Sequence, residues 1–290
     1  MRLKKKSFCK VNLLLNILGR RADGFHELET ILHPVKVHDQ LTFARDGNGV
    51  ELSCSDGNLP TDSQNLVCRA AAAFLSAAKI NAGVKIHLEK KIPLAAGLGG
   101  GSGNAATTLT ALNELFDRPL APTKLGELAA SLGSDVPFFL QNQPAWATGR
   151  GEKIQPLDFF PAFRDKALLL IHPGFGVSTG WAYQALARFP AAGNGRPGRA
   201  RELIALLQTN QWPAVADGFY NSLEAPVLEK YPVLALFQEF LRAHGALAAL
   251  MSGSGSTTFA VVENVAAGET LAERFKAKFG QNCWAAVVPV

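Results

Sequence analysis

Between Pro93 and Asn104 the chain reads PLAAGLGGGSGN, with glycines at 97, 99, 100, 101 and 103. Such a run lets the backbone take positive φ and turn several N–H groups onto one anion. Before it, Val84, Ile86 and Leu88 alternate with Lys85, His87 and Glu89, the period of a strand. After it, Ala105, Leu109, Leu112 and Phe116 recur at helical spacing. Strand, glycine-rich turn and helix N-terminus together suit phosphate, because the helix adds partial positive charge where the amides converge. The natural ligand is a nucleotide polyphosphate. The structural alternative is a flexible turn with Ser102 or Asn104 as a helix cap.

The type of phosphate loop follows by exclusion. A Walker A loop ends in Gly-Lys-Ser/Thr, and the chain has no Gly-Lys dipeptide. A dinucleotide fingerprint is a live alternative, since Gly101, Gly103 and Ala106 satisfy G-x-G-x-x-A and Glu127 follows at a suitable distance. That reading makes the protein an NAD(P)-dependent oxidoreductase. Against it, the glycines begin before position 101, and the fingerprint usually follows the first strand of its domain.

Other residues could do chemistry nearby. Lys10 is a lone cation beside an apolar strand, where a solvated strand-end lysine is the bland role. Leu125, Leu128, Ala129 and Leu132 line one face of a helix ending at Gly133, which leaves Asp135 at the start of the next element. Its structural role would be an N-cap. Its chemical role would be to receive or orient a hydroxyl proton. A second glycine-rich turn, MSGSGSTTFAVV from Met251, carries Gly253, Gly255 and Ser256 ahead of a strand.

The elements that must position these residues form a mixed α+β pattern. Strands are expected at 11–18, 35–43, 50–54 and 84–89, and helices at 65–79, 104–116 and 124–132. After Gly149-Arg150-Gly151 the pattern restarts, with strands at 167–172, 257–262 and 284–288 and helices near 179–188, 200–208 and 233–244. A division into residues 1–155 and 156–290 follows. The stretch AAGNGRPGR at 191–199 reads as a mobile surface loop.

Composition narrows the class. The 290 residues have ample apolar content for real cores, and a net charge of +5 without a basic, aromatic-interleaved stripe suits small anions rather than nucleic acid. Cys9, Cys54, Cys68 and Cys283 form no C-x-x-C pair or metal-like cluster, so they read as reduced thiols of a cytoplasmic protein without a protein-held metal. Lys10, Asn12 and Asn16 interrupt the apolar N-terminal stretch, which reads as a strand rather than a signal peptide. No run approaches the roughly eighteen apolar residues of a membrane span. Nothing in the sequence sets an oligomeric state.

The order and spacing of these motifs resemble the GHMP small-molecule kinases over nearly the whole chain. The resemblance rests on Lys10-Val11-Asn12-Leu13 with Gly19-Arg20-Arg21-Ala22-Asp23-Gly24-Phe25-His26-Glu27, on the glycine-rich loop, on Gly133-Ser134-Asp135-Val136-Pro137-Phe138-Phe139, and on the turn at Gly253. It implies a two-domain GHMP kinase fold of the α+β class with the active site in the interdomain cleft. ATP would lie in the N-terminal domain on Pro93, Leu94, Ala95, Ala96, Gly97, Leu98, Gly99, Gly100, Gly101, Ser102 and Gly103, with magnesium accompanying it.

Within that superfamily the likeness is to members acting on a small molecule that carries a cytidine diphosphate group. By that resemblance Lys10 and Asp135 are the catalytic pair. Asn12 and His26 bind substrate, with Phe25 and Tyr183 as flat faces for the pyrimidine and Thr179 assigned by its spacing to Tyr183. A kinase acting on homoserine, mevalonate or a sugar is the nearest competitor, and it has no use for a pyrimidine pocket. Two positions depart from the family pattern. Phe25 stands where tyrosine is common, which keeps the stacking face and loses a hydroxyl, and Gly103 stands where the loop usually has serine, a change through which ATP binding is expected to persist on the backbone N–H groups.

Overall fold

The computed structural model describes residues 2–290. Strands β1 (Arg2–Arg20) and β2 (His26–Arg45) are far longer than the expected segments at 11–18 and 35–43. The lysine-rich start extends β1 because it alternates exposed and half-buried positions, as a strand with one wet face does. The turn between them is closed by Arg21 N–H donating to Phe25 O (2.8 Å) and by Gly24 at φ +84°.

There follow β3 (Val50–Cys54), α1 (Leu66–Ala77), β4 (Val84–Glu89), α2 (Gly100–Leu115) and α3 (Pro122–Leu132). Then come β5 (Ala145–Gly149), β6 (Lys153–Pro156), β7 (Ala167–His172), α4 (Thr179–Ala185), α5 (Pro190–Gly193), α6 (Arg199–Leu207) and α7 (Trp212–Gly218). The chain ends with β8 (Tyr220–Asn221), α8 (Glu224–Lys230), α9 (Pro232–Ala243), β9 (Ala248–Met251), β10 (Thr258–Val262), α10 (Val265–Phe279) and β11 (Trp284–Pro289). The fold is α+β, as expected.

The elements form two compact units that interleave along the sequence. One comprises the residues through Cys9, Val37–Ile92 and Gly99–Asn142; the other Lys10–Lys36, Pro93–Leu98 and Gln143–Val290. In the first unit β4 pairs antiparallel with residues 40–45 of β2 and parallel with β3. Leu41, Phe43, Ile86 and Leu88 from that sheet pack with Phe74 of α1 and with Leu109 and Leu112 of α2. The side chain of Asn65 caps α1 by accepting the Val67 N–H.

In the second unit β2 pairs antiparallel with β5 through residues 28–32, and β1 pairs parallel with β8 at Leu14 and Leu15. A separate antiparallel sheet has the order β11-β7-β10-β9. Strand β7, ALLLIH, is buried at every position, as its unbroken apolar run requires. Helix α10, which carries Gly268 in its first turns, was not among the expected elements. That glycine lets the helix approach β11, since a Cβ there would lie 2.7 Å from Val287 Cγ1.

The segment at 191–199 is not the mobile loop expected. Gly195 N–H donates to Ile17 O (2.8 Å) and Asn16 Nδ2 to Arg196 O (2.8 Å). The buried Glu29 carboxylate accepts from Gly198 N–H (3.3 Å) and Ala200 N–H (3.2 Å) at the start of α6, where the helix dipole favours an anion. A polar, glycine-rich string carries no signal of what waits for it on another element.

His33 is 1% exposed and packs against the rings of Phe159, Phe160 and Phe163. Burial lowers its pKa from the ordinary 6.5 to about 4, partly offset by its bond with Pro34 O. The folded protein therefore resists a proton that the unfolded chain accepts. Stability should fall as pH drops from about 6.5 to about 4, by on the order of 3 kcal/mol, and level off below. Urea melts across that range should show the slope, and His33→Leu should remove this part of it.

Candidate functional site

The glycine-rich turn is built as a surface that withholds acceptors. Ala95 O accepts from Val177 N–H (3.3 Å), Ala96 O from Thr257 N–H (3.2 Å), Gly97 O from Lys10 Nζ (2.9 Å) and Leu98 O from Lys10 N–H (3.0 Å). Successive carbonyls are thus committed to the protein. A backbone arranged this way has four successive carbonyl oxygens, from Ala95 to Leu98, drawn toward donors of the protein. Positive φ at Ala95 (+48°), Gly97 (+75°) and Gly99 (+69°) produces the arrangement. Ala95 holds that conformation despite its methyl, at a cost of order 1–3 kcal/mol that its surroundings must meet. Close packing enforces it: Val177 follows Gly176, where a Cβ would lie 2.6 Å from the Ala95 Cβ.

Helix α2 begins at Gly100 with Gly99 as N-cap, earlier than expected. Ser102 and Asn104 are therefore inside the helix and cap nothing. Gly101, Gly103 and Ala106 are also helical, so the dinucleotide fingerprint fails: its first glycine belongs on the turn. Gly103 is buried, and a Cβ there would lie 2.7 Å from Phe8 O and 3.1 Å from Ser7 Oγ. The glycine serves the packing of α2 against β1. That gives it a reason other than a phosphate contact given up.

Lys10 and Asn12 point to the same face of β1, being two residues apart in a strand. Lys10 is 3% exposed, and its Nζ donates to Asn12 Oδ1 (2.6 Å) and Gly97 O. Asn12 Nδ2 donates to Thr30 Oγ1 (2.9 Å), and Asn12 N–H to Ser252 Oγ (3.3 Å). Ser252 Oγ in turn donates to Gly97 O (3.0 Å). The second glycine turn is therefore a wall of this site. Asn221 fixes it, giving Nδ2 hydrogens to Met251 O (2.8 Å) and Gly253 O (2.8 Å) while its Oδ1 accepts Leu223 N–H. The partly buried Glu224 carboxyl, whose pKa desolvation raises, accepts the Met251 N–H (2.8 Å). Ser252, Asn221 and Thr30 were not singled out from sequence.

His26 and Tyr183 do meet: their ring centroids lie 5.2 Å apart at 38°. Burial first, and the charge of Arg20 second, lower the His26 pKa, which favours a neutral imidazole able to donate and accept. Phe25 is half exposed, with the Arg150 guanidinium 4.5 Å from its ring centre. Thr179 Oγ1 is 2.8 Å from Ser254 Oγ, which ties α4 to the second glycine turn. Asp135 belongs to the other compact unit. It lies on the turn between α3 and the short 3-10 helix Pro137–Leu140, where Val136 N–H donates to Gly133 O (3.2 Å).

Comparison with known proteins gives a consistent picture. Residues 65–143 match the GHMP kinases N terminal domain, and residues 188–281 match the GHMP kinases C terminal domain. The chain is 38% identical over 286 residues to a 4-diphosphocytidyl-2-C-methyl-D-erythritol kinase of Syntrophotalea carbinolica, covering 97% of this chain and 96% of that one. It is 41% identical over 264 residues to the enzyme of that name from Syntrophus aciditrophicus, covering 90% of each. Among solved structures, a 4-(cytidine 5'-diphospho)-2C-methyl-D-erythritol kinase superposes with a TM-score of 0.79 at 34% identity, over 99% of this chain and all of that one. A homoserine kinase from Cytophaga hutchinsonii, 20% identical with a TM-score of 0.75 over 99% of this chain and 93% of that one, shares the fold.

The glycines should separate by role when replaced. A Cβ at Gly97 would overlap the Ser252 carbonyl oxygen at a positive φ, so Gly97→Ala should destabilise by about 1–3 kcal/mol. Gly103→Ser should cost a similar amount without raising nucleotide affinity. Gly126→Ala, with open space around it in α3, should stabilise by about 0.5–1 kcal/mol. Denaturant melts of the three variants check the order.

Proposed function

Because the chain belongs to the GHMP kinases and, among them, to the 4-diphosphocytidyl-2-C-methyl-D-erythritol kinases, we propose that its residues transfer the γ-phosphoryl group of ATP to the 2-hydroxyl of 4-diphosphocytidyl-2-C-methyl-D-erythritol. The step belongs to the non-mevalonate route to isoprenoid precursors. The observation that carries the reading is the glycine-rich turn with its carbonyls held by the protein, set directly before the N-terminus of α2. Pro93–Gly103 cradles the nucleotide phosphates on backbone N–H groups.

Phosphoryl transfer passes through a loose transition state, so the protein's task is placement and charge. Lys10, fixed by Asn12 and Gly97, puts its ammonium against the transferring phosphate. Asp135 accepts or aligns the proton of the attacking hydroxyl, a contribution of roughly 10²- to 10⁴-fold for general bases. His26 reads the cytosine edge, with Tyr183 and Phe25 as stacking faces and Thr179 on the substrate side. Asn12 has both ends of its amide engaged within the protein, which fits a residue that orients Lys10 beside the substrate.

Magnesium accompanies the nucleotide in this reading. Among the described residues no three His, Cys, Asp or Glu side chains are grouped to hold a metal, and an ion carried on phosphate oxygens needs only one or two carboxylates. When bound it would neutralise charge on the phosphates. In this reading residues 1–155 are the ATP-binding domain, to which Asn12, Phe25 and His26 also belong, and 156–290 the substrate-side domain with Thr179 and Tyr183, a functional division that differs from the two interleaved units. Cys9, Cys54, Cys68 and Cys283 are joined in no disulfide, which fits the cytoplasm. No described helix is long and apolar enough to cross a membrane.

A kinase acting on homoserine, mevalonate or a sugar would leave the His26–Tyr183 pair without a task. Purified protein with ATP and magnesium should consume ATP with the cytidyl substrate and not with those three. Asp135→Asn should lower kcat by at least about 100-fold. Turnover of a smaller substrate instead would remove the cytosine pocket from the account, and undiminished turnover by Asp135→Asn would remove its catalytic role.

A further inference from the structure

Asp39, on β2, is fully buried at 0% exposure. A carboxylate in that position is costly unless every oxygen is paired. Its Oδ1 accepts the N–H groups of Lys91 (2.7 Å) and Ile92 (2.9 Å). Its Oδ2 accepts from Asn104 Nδ2 (3.1 Å) and from the ammonium of Lys90, itself only 6% exposed. Lys90, Lys91 and Ile92 are the residues that lead into the glycine-rich turn. Asn104 is in the helix that leads out of it, with its own side chain buried at 3% exposure. One carboxylate therefore holds both ends of Pro93–Gly103.

Packing alone does not call for this. An apolar side chain would fill the same space without the desolvation cost of a charge, whereas only an acceptor with two oxygens can take two strand-exit amides and two side-chain donors at once. Nor does the carboxylate repel a polyphosphate, because Lys90 neutralises it at contact.

We infer that Asp39 is a positioning residue for the nucleotide, setting the separation between strand exit and helix entry and so the convergence of the turn's amides. The inference rests on the reading of Pro93–Gly103 as the nucleotide's phosphate cradle. Changing the separation of the ends rotates the amides away from a common point, which weakens binding of phosphate while leaving the phosphoryl acceptor's contacts alone.

Asp39→Asn keeps an acceptor for Lys91 and Ile92 but turns donor hydrogens toward Lys90 and Asn104. With ADP as probe, calorimetry should show affinity about 10-fold weaker or worse, the scale of one lost charge-assisted bond. KM for ATP should rise in parallel, and KM for the cytidyl substrate should stay within about threefold, a split that general loosening of the fold would not give. The exchange Asp39→Asn with Asn104→Asp returns a carboxylate to the same contact and should recover most of the ADP affinity.

Unchanged ADP affinity in a folded Asp39→Asn protein overturns the inference, as does an equal rise in both KM values. If Asp39→Asn does not fold, Asn104→Ala decides the matter. It removes only the helix-side bond, and an unaltered ADP affinity there overturns the inference. Wild-type protein that binds neither ADP nor ATP would instead overturn the phosphate-cradle reading itself, and the inference about Asp39 with it.

Discussion

The carbonyl oxygen of Gly97 is where the second compact unit is tied together around its chemistry. It accepts from Lys10 Nζ and from Ser252 Oγ, so β1, the glycine-rich turn and the turn after β9 share one acceptor. A carbonyl has two lone pairs, and both are used. The ammonium of Lys10 thereby gains a fixed direction in a place with almost no solvent. The same acceptor holds the turn in its positive-φ conformation and brings Gly253 close enough that a side chain there would crowd Lys10 and Asn12. Loosen that oxygen and the cation, the turn and the wall would all lose their reference point together.

Around this hub several polar side chains withdrawn from water take partners that belong to a different segment of chain. Glu29 holds the start of α6 and Asp39 holds two ends of a loop. Glu224 and Asn221 hold the turn after β9. An unpaired buried polar group costs about 1–3 kcal/mol, so these contacts select a single arrangement of loops that apolar packing would leave loosely specified. The apolar cores supply most of the driving force, and the polar contacts determine where the backbone of the site goes.

Much of this was legible in the sequence, for identifiable reasons. The alternation before Pro93 and the helical spacing after it located β4 and α2, and the short apolar run of β7 suited a buried strand. Lys10, His26 and Asp135 stood out because they sit in distinctive local strings. What could not be read were relations between distant segments. Asn12 and Ser252 are 240 residues apart, and a serine in a glycine-rich turn looks the same whether or not it faces a lysine. Asp39 sits in the polar run His38-Asp39-Gln40, and although it is in phase with the buried Leu41 and Phe43, nothing in that string names the donors that meet it. Gly103 looked like a missing hydroxyl, yet it and Gly268 are each the site of a close approach whose other party lies elsewhere in the chain.

Ala95 and Gly176 carry this point into the history of the sequence. The methyl at 95 leaves no room for one at 176, while Gly176 alone places no demand on position 95. The two positions are therefore not free to drift independently. A lineage with glycine at both could acquire the alanine in one step, but from that moment residue 176 is locked. Reversal must then run through position 95 first. The exclusion is mutual: the Ala95 methyl, strained at its positive φ, closes position 176 to a side chain, just as a side chain at 176 would have closed position 95 to the methyl.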